Sequence, residues 1–137
     1  FLLEALGPSL AACRWYDLIL LAALAGWAEE ILFRGLLQPW IERSFESATA
    51  GLIGSNVLFG LAHLITPTYA LFAGVMGLYL GFVFDATGER NLLAPITTHA
   101  LYDYLAFVMV VRSYRREYEK QDDADDSQPA NRDLPPL

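Results

Sequence analysis

Apolar residues gather in four long stretches. They cover 15–40, 48–65, 69–84 and 92–111. The first carries Glu29, Glu30 and Arg34 in its second half. The second has Asn56 and His63 as its strongly polar members. The third has no charge, and the fourth contains His99 and Asp103. A bilayer core takes about 20 residues of helix. A helix in a soluble bundle keeps a polar face, and the second and third stretches have none. The pattern predicts an all-α fold, a transmembrane bundle of four membrane helices.

Local signals set the expected ends. Trp15, Tyr16 and Trp40 bracket the first stretch, as aromatic rings do at the headgroup level. Pro67 lacks an N–H and pushes Thr66 out of the α region, so the second helix is expected to end at Thr66-Pro67. Residues 88–91 (Gly-Glu-Arg-Asn) form a polar turn, and Pro95 suits the first turn of the last helix. Gly74, Gly77 and Gly81 make a small-residue track on the third helix, read as close packing. Gly7-Pro8 is expected to break residues 1–14.

The charge distribution sharpens the division. The formal net charge is −7, but seven of the 16 acidic residues lie in 117–137 and the body before them is almost neutral. Three regions are expected: 1–14 as the end of a preceding segment or a linker, 15–112 as the membrane core, and 113–137 as a disordered acidic tail. The first residue is Phe1 rather than Met, which reads as part of a longer protein. The flanks that share a side with the tail carry five Lys and Arg, against two on the other side. A multi-pass protein with a cytoplasmic carboxyl-terminal tail follows from the positive-inside rule. No basic surface exists to neutralise phosphates, so nucleic acid is not an expected partner. The single cysteine, Cys13, excludes an internal disulfide framework. Nothing in the chain sets the oligomeric state.

An ionisable group inside hydrocarbon costs about 2.5–3.5 kcal/mol and marks a functional site. Glu30 and Arg34, Phe59 and His63, and His99 and Asp103 each stand at i, i+4 and share a helix face. Asn56 extends the face of Phe59 and His63. Each pair has a plain structural reading: an ion pair for Glu30 and Arg34, helix glue for Asn56, core for Phe59, an interhelical clamp for His99 and Asp103. Together, two carboxylates and two imidazoles on neighbouring helices are what water activation requires. Glu29, His63 and His99 are expected to converge on one water-sized point. For that, either the second helix begins outside the hydrocarbon core or the last helix starts deep within it. His63 lies 15 residues after position 48 and His99 seven after 92, an offset of about 12 Å at 1.5 Å per residue. Pro95 favours non-helical backbone over 87–94, tolerated at membrane depth only against protein or a water-filled recess.

Three motifs stand in order on these helices: Glu29-Glu30-Ile-Leu-Phe-Arg34 (EExxxR), Phe59-Gly-Leu-Ala-His63 (FxxxH) and His99-Ala-Leu-Tyr-Asp103 (HxxxD). The set resembles the CPBP family, the CAAX proteases and bacteriocin-processing enzymes also called the Abi family, over roughly 15–111. The resemblance implies an intramembrane endopeptidase of the Rce1 type, acting on a peptide or prenylated protein within the lipid bilayer. It implies Glu29 as general base, His63 as the group that holds the water, and His99 with Asp103 as oxyanion stabilisers. Glu30, Arg34, Phe59 and Asn56 would support them. Asp103 departs from the Asn of the prenyl-protein proteases and donates a hydrogen bond only when protonated, so it can instead orient His99. No cofactor is expected. The resemblance leaves metal dependence open: the family was long called metalloproteases and is better described as glutamate-dependent, zinc is possible but not supported by the sequence, and the HExxH helix of soluble zinc proteases is absent. Other readings stay open: a haem carrier with His63 and His99 as axial ligands, a proton-coupled transporter, or a catalytically silent member acting in immunity, regulation or interaction.

Overall fold

The computed structural model describes the backbone of residues 2–86 and 88–126. Every regular element among them is helical: α1 (Leu2–Ala11), α2 (Trp15–Glu30), a π-helical segment (Ile31–Leu37), α3 (Gln38–Phe45), α4 (Ala48–Ala62), α5 (Pro67–Ala86) and α6 (Leu93–Asp126). The all-α expectation holds. α2, the π segment and α3 run on without a break. α2 packs along α6, α4 packs against α3 and α5, and α1 lies on the distal part of α6.

Four membrane spans were expected, and among the described residues two helices are long and apolar enough to cross a bilayer: Pro67–Ala86 and the Leu93–Tyr118 portion of α6. α4 is apolar but has only 15 residues. α2 has 16 and ends at Glu29 and Glu30, of which Glu30 turns into the core. The second helix stops at Ala62, short of Thr66-Pro67, because the backbone tightens first. The N–H of His63 turns back to Gly60 O at 3.1 Å and that of Leu64 to Leu61 O at 3.1 Å, three residues back rather than four. Pro67 instead opens α5, where its missing N–H costs nothing.

Two further expectations give way. α1 passes through Pro8 without breaking. Gly7 lies so close to the Tyr114 ring that an added Cβ would stand 2.4 Å from Cδ2, so packing on α6 overrides the local breaker. The expected disordered tail is helical as far as Asp126. Extending a nucleated helix costs little, and Arg115, Arg116, Glu117 and Lys120 are good helix formers. Residues 127–137 lie outside the described residues. Residues 88–92 are non-helical and α6 starts at Leu93, near the level Pro95 marks.

Burial runs opposite to that of a soluble core. Glu30, Arg34, Gln38, Ser55, Asn56 and His99 are buried, while Trp15, Leu20, Phe72, Phe82, Leu101 and Met109 are exposed. Lipid favours this distribution, since apolar side chains lose nothing outside and polar ones must pair inside.

Candidate active site

The π segment aligns the first polar row. In an α-helix, residues four apart drift by about 40° per step. The wider π turn, marked by the Gln38 N–H returning five residues to Phe33 O, takes up that drift. Glu30, Arg34 and Gln38 all face inward with no exposure. A residue period cannot announce a π turn, and π turns recur at functional sites.

Arg34 is the hub. Nη1 donates to Glu30 Oε1 at 2.8 Å, and Nη2 donates to Asn56 Oδ1 at 2.8 Å and to Gly77 O at 2.5 Å. Its guanidinium lies over the Phe59 ring at 4.9 Å. Asn56 donates in turn to Leu52 O at 2.7 Å. Gly77 is glycine for a reason beyond helix approach: a Cβ there would stand 2.6 Å from Asn56 Oδ1. The helix without polar motif residues thus supplies a carbonyl to the cluster.

Both imidazoles are anchored through Nδ1. His63, at the C-cap of α4, has Nδ1 2.8 Å from Phe59 O. A carbonyl only accepts, so Nδ1 carries the proton and Nε2 points away. His99, on α6, has Nδ1 2.8 Å from Glu30 Oε1, an oxygen already engaged by Arg34, and the same assignment follows. The Phe59 ring stacks on His63 at 4.5 Å and meets His99 edge-on at 6.0 Å. Such outer contacts fix imidazole orientation.

The two Nε2 atoms face Glu29. Oε2 of Glu29 lies 3.6 Å from His63 Nε2 and 3.9 Å from His99 Nε2, and it has no hydrogen-bond partner. These gaps exceed a direct hydrogen bond and suit one shared water. Asp103 Oδ2 lies 3.5 Å from His99 Nε2. Glu29, His63, His99 and Asp103 thus meet from α2, α4 and α6, with Glu30, Arg34, Asn56 and Phe59 directly behind them. Sequence reasoning missed Gln38, which continues the spacing of Glu30 and Arg34 by four more residues, and Gly77, whose part is played by its backbone.

A cavity of about 240 Å³ opens on the imidazoles. Phe59, His63, His99 and Tyr102 line one side; Tyr69, Phe72, Ala73 and Met76 of α5 line the other. The Tyr69 ring is 6.1 Å from that of His63. The site therefore has a polar floor and apolar walls, the usual make-up of a pocket for an organic ligand. Among the described residues, no group of three or more His, Cys, Asp or Glu is disposed to hold a metal ion.

The family model described as type II CAAX prenyl endopeptidase Rce1-like matches residues 11–105, a span that contains every residue of this site. No curated protein and no solved structure matches the chain.

Proposed function

The chain belongs to the Rce1-like family of type II CAAX prenyl endopeptidases, and on that premise we propose that it is an intramembrane endopeptidase in which Glu29 activates water. The observation that carries this reading is the position of Glu29 Oε2 between the Nε2 atoms of two anchored imidazoles, beside a cavity that reaches both.

Water bound between Glu29 and His63 Nε2 gives a proton to the Glu29 carboxylate as its oxygen attacks the scissile carbonyl carbon. The carbonyl oxygen becomes an oxyanion. His99, held through Nδ1 by Glu30, presents Nε2 to it and donates when that atom carries a proton. The tetrahedral intermediate collapses, the C–N bond breaks, and Glu29 returns its proton to the leaving amine. Asp103 orients His99 or, protonated, donates beside it.

The substrate is a peptide or prenylated protein reaching the site from the bilayer. The protein is multi-pass, with the carboxyl-terminal tail on the cytoplasmic side. The test is cleavage of prenylated and unmodified peptides by protein in lipid vesicles, wild type against Glu29→Gln. Loss of all cleavage in the variant is expected. Equal cleavage by both would refute the base assignment, and no cleavage by either would favour a silent family member.

A further inference from the structure

A second polar cluster lies beyond Arg34, at the other end of the buried row. Gln38, fully buried, donates through Nε2 to Asp85 Oδ2 at 3.0 Å. The other Asp85 oxygen receives Arg90 Nε at 3.0 Å, and Arg90 Nη2 reaches Glu42 Oε2 at 2.7 Å. The guanidinium lies 5.9 Å above the Phe84 ring. The close ion pair with Glu42, ahead of the charge of Asp85, pushes the Arg90 pKa up against a partial desolvation, so Arg90 is cationic at any working pH. Its backbone has φ +52°, a left-handed conformation that a non-glycine residue keeps only where its surroundings hold it. Two residues on, the Leu92 side chain lies against Gly35 of the π segment, 3.4 Å from where a Cβ would stand. Asn91 Oδ1 caps α6 by accepting from Leu93 N at 2.9 Å.

We infer that Arg90, clamped by Glu42 and by Asp85, which Gln38 holds in turn, is a positioning residue that fixes the start of α6 and so holds His99 at its distance from Glu29. This rests on the reading of Glu29 and His99 as catalytic. His99 lies six residues into α6, about 9 Å along its axis, and Arg90 ties the short 88–92 link to α3 through Glu42. Release of the clamp lets the first turns of α6 slide, and a shift of 1 Å at a reacting group can cost about 10²-fold in rate.

The experiment compares wild type, Arg90→Ala, Arg90→Lys and Glu42→Gln in lipid vesicles by two readouts. Hydrogen exchange over 91–99 is expected to quicken in Arg90→Ala, with α4 unchanged. The kcat for peptide cleavage is expected to fall at least about tenfold with KM within about twofold, with partial recovery in Arg90→Lys. Unchanged exchange in both Arg90→Ala and Glu42→Gln overturns the inference whether or not any peptide is cleaved. So does faster exchange with wild-type kcat. Should Arg90→Ala fail to fold, Glu42→Gln, which leaves the Asp85 pair in place, decides by the same measures. Glu29→Gln run alongside separates the two readings: if it retains activity, the catalytic assignment fails while the exchange result still reports on the clamp.

Discussion

Glu30 Oε1 lies 2.8 Å from His99 Nδ1 and 2.8 Å from Arg34 Nη1, joining α2 to α6 through one buried oxygen. Its sequence neighbour Glu29 is 31% exposed along its side chain and meets both imidazoles only at 3.6 and 3.9 Å. Two adjacent carboxylates therefore differ in environment: Glu30 is buried and doubly bonded, while Glu29 is partly exposed with Oε2 unbonded, as the proposed base requires. The expected mutational outcomes separate too. Glu29→Gln keeps the fold and lowers cleavage by at least about 10²-fold. Glu30→Ala leaves Arg34 buried without its ion pair and destabilises by about 3–5 kcal/mol. Thermal unfolding in detergent, measured beside peptide cleavage, distinguishes the two. Equal thermal effects would contradict the division.

The histidines differ in what holds them. His63 hangs on a main-chain carbonyl, so His63→Ala removes an imidazole and frees an acceptor at a helix end. His99→Ala removes a buried side-chain link between α6 and α2 and leaves the Glu30 carboxylate on Arg34 alone. Both lower kcat by about 10²–10³-fold, and only His99→Ala lowers the unfolding temperature markedly. Asp103→Asn, which preserves shape and restores a neutral donor, is expected to retain most activity. Loss of activity in Asp103→Asn comparable to His99→Ala would show that the negative charge itself is required.

Gly77 and Gly74 lie on one track of α5 but meet different neighbours. A Cβ at Gly77 would stand 2.6 Å from Asn56 Oδ1 and 3.1 Å from Phe59, whereas one at Gly74 has its nearest atom at 3.6 Å. Asn56 is held at both ends and cannot retreat. Gly77→Ala is expected to destabilise by about 1–3 kcal/mol, and Gly74→Ala to be neutral or to stabilise by up to about 1 kcal/mol. Equal unfolding temperatures would show the track to be packing alone.

The helical class, the segment order and the meeting of three motif pairs were legible because membrane hydrophobicity makes every buried charge conspicuous. Glu29, Glu30, Arg34, His63, His99 and Asp103 stand out against their apolar neighbours, and i, i+4 spacing puts each pair on one face. The number of spanning helices was not legible. Apolar length alone cannot register that α4 tightens at His63 or that the first long helix changes to π geometry at Ile31. Nor could the sequence disclose that Gly77 contributes a carbonyl, since a backbone group has no side-chain signature. The helical course of 113–126 escaped for another reason: a polar composition says nothing of helix already nucleated upstream and docked on α1.

The cavity beside the imidazoles makes a statement about selectivity. Its volume is about 240 Å³, and Ala73 and Met76 of α5 line it together with His99. On the proposed mechanism, a substrate side chain next to the scissile bond is expected to occupy this space, which reaches His63 and His99. Ala73 is partly buried at the cavity edge, so a larger residue there extends into the cavity rather than into a packed interface. Ala73→Phe is therefore expected to leave the unfolding temperature nearly unchanged. It should lower kcat/KM for peptides with Leu or Phe beside the scissile bond by roughly 10–100-fold, the usual weight of a lost apolar pocket. Peptides with Ala or Gly at that position should lose much less, which shifts the preference toward small side chains. Competition between two peptides in one vesicle preparation measures the ratio directly and is independent of enzyme concentration. A uniform loss across all peptides would mean that the cavity admits water or lipid rather than the substrate side chain, and that the peptide approaches Glu29 from another face.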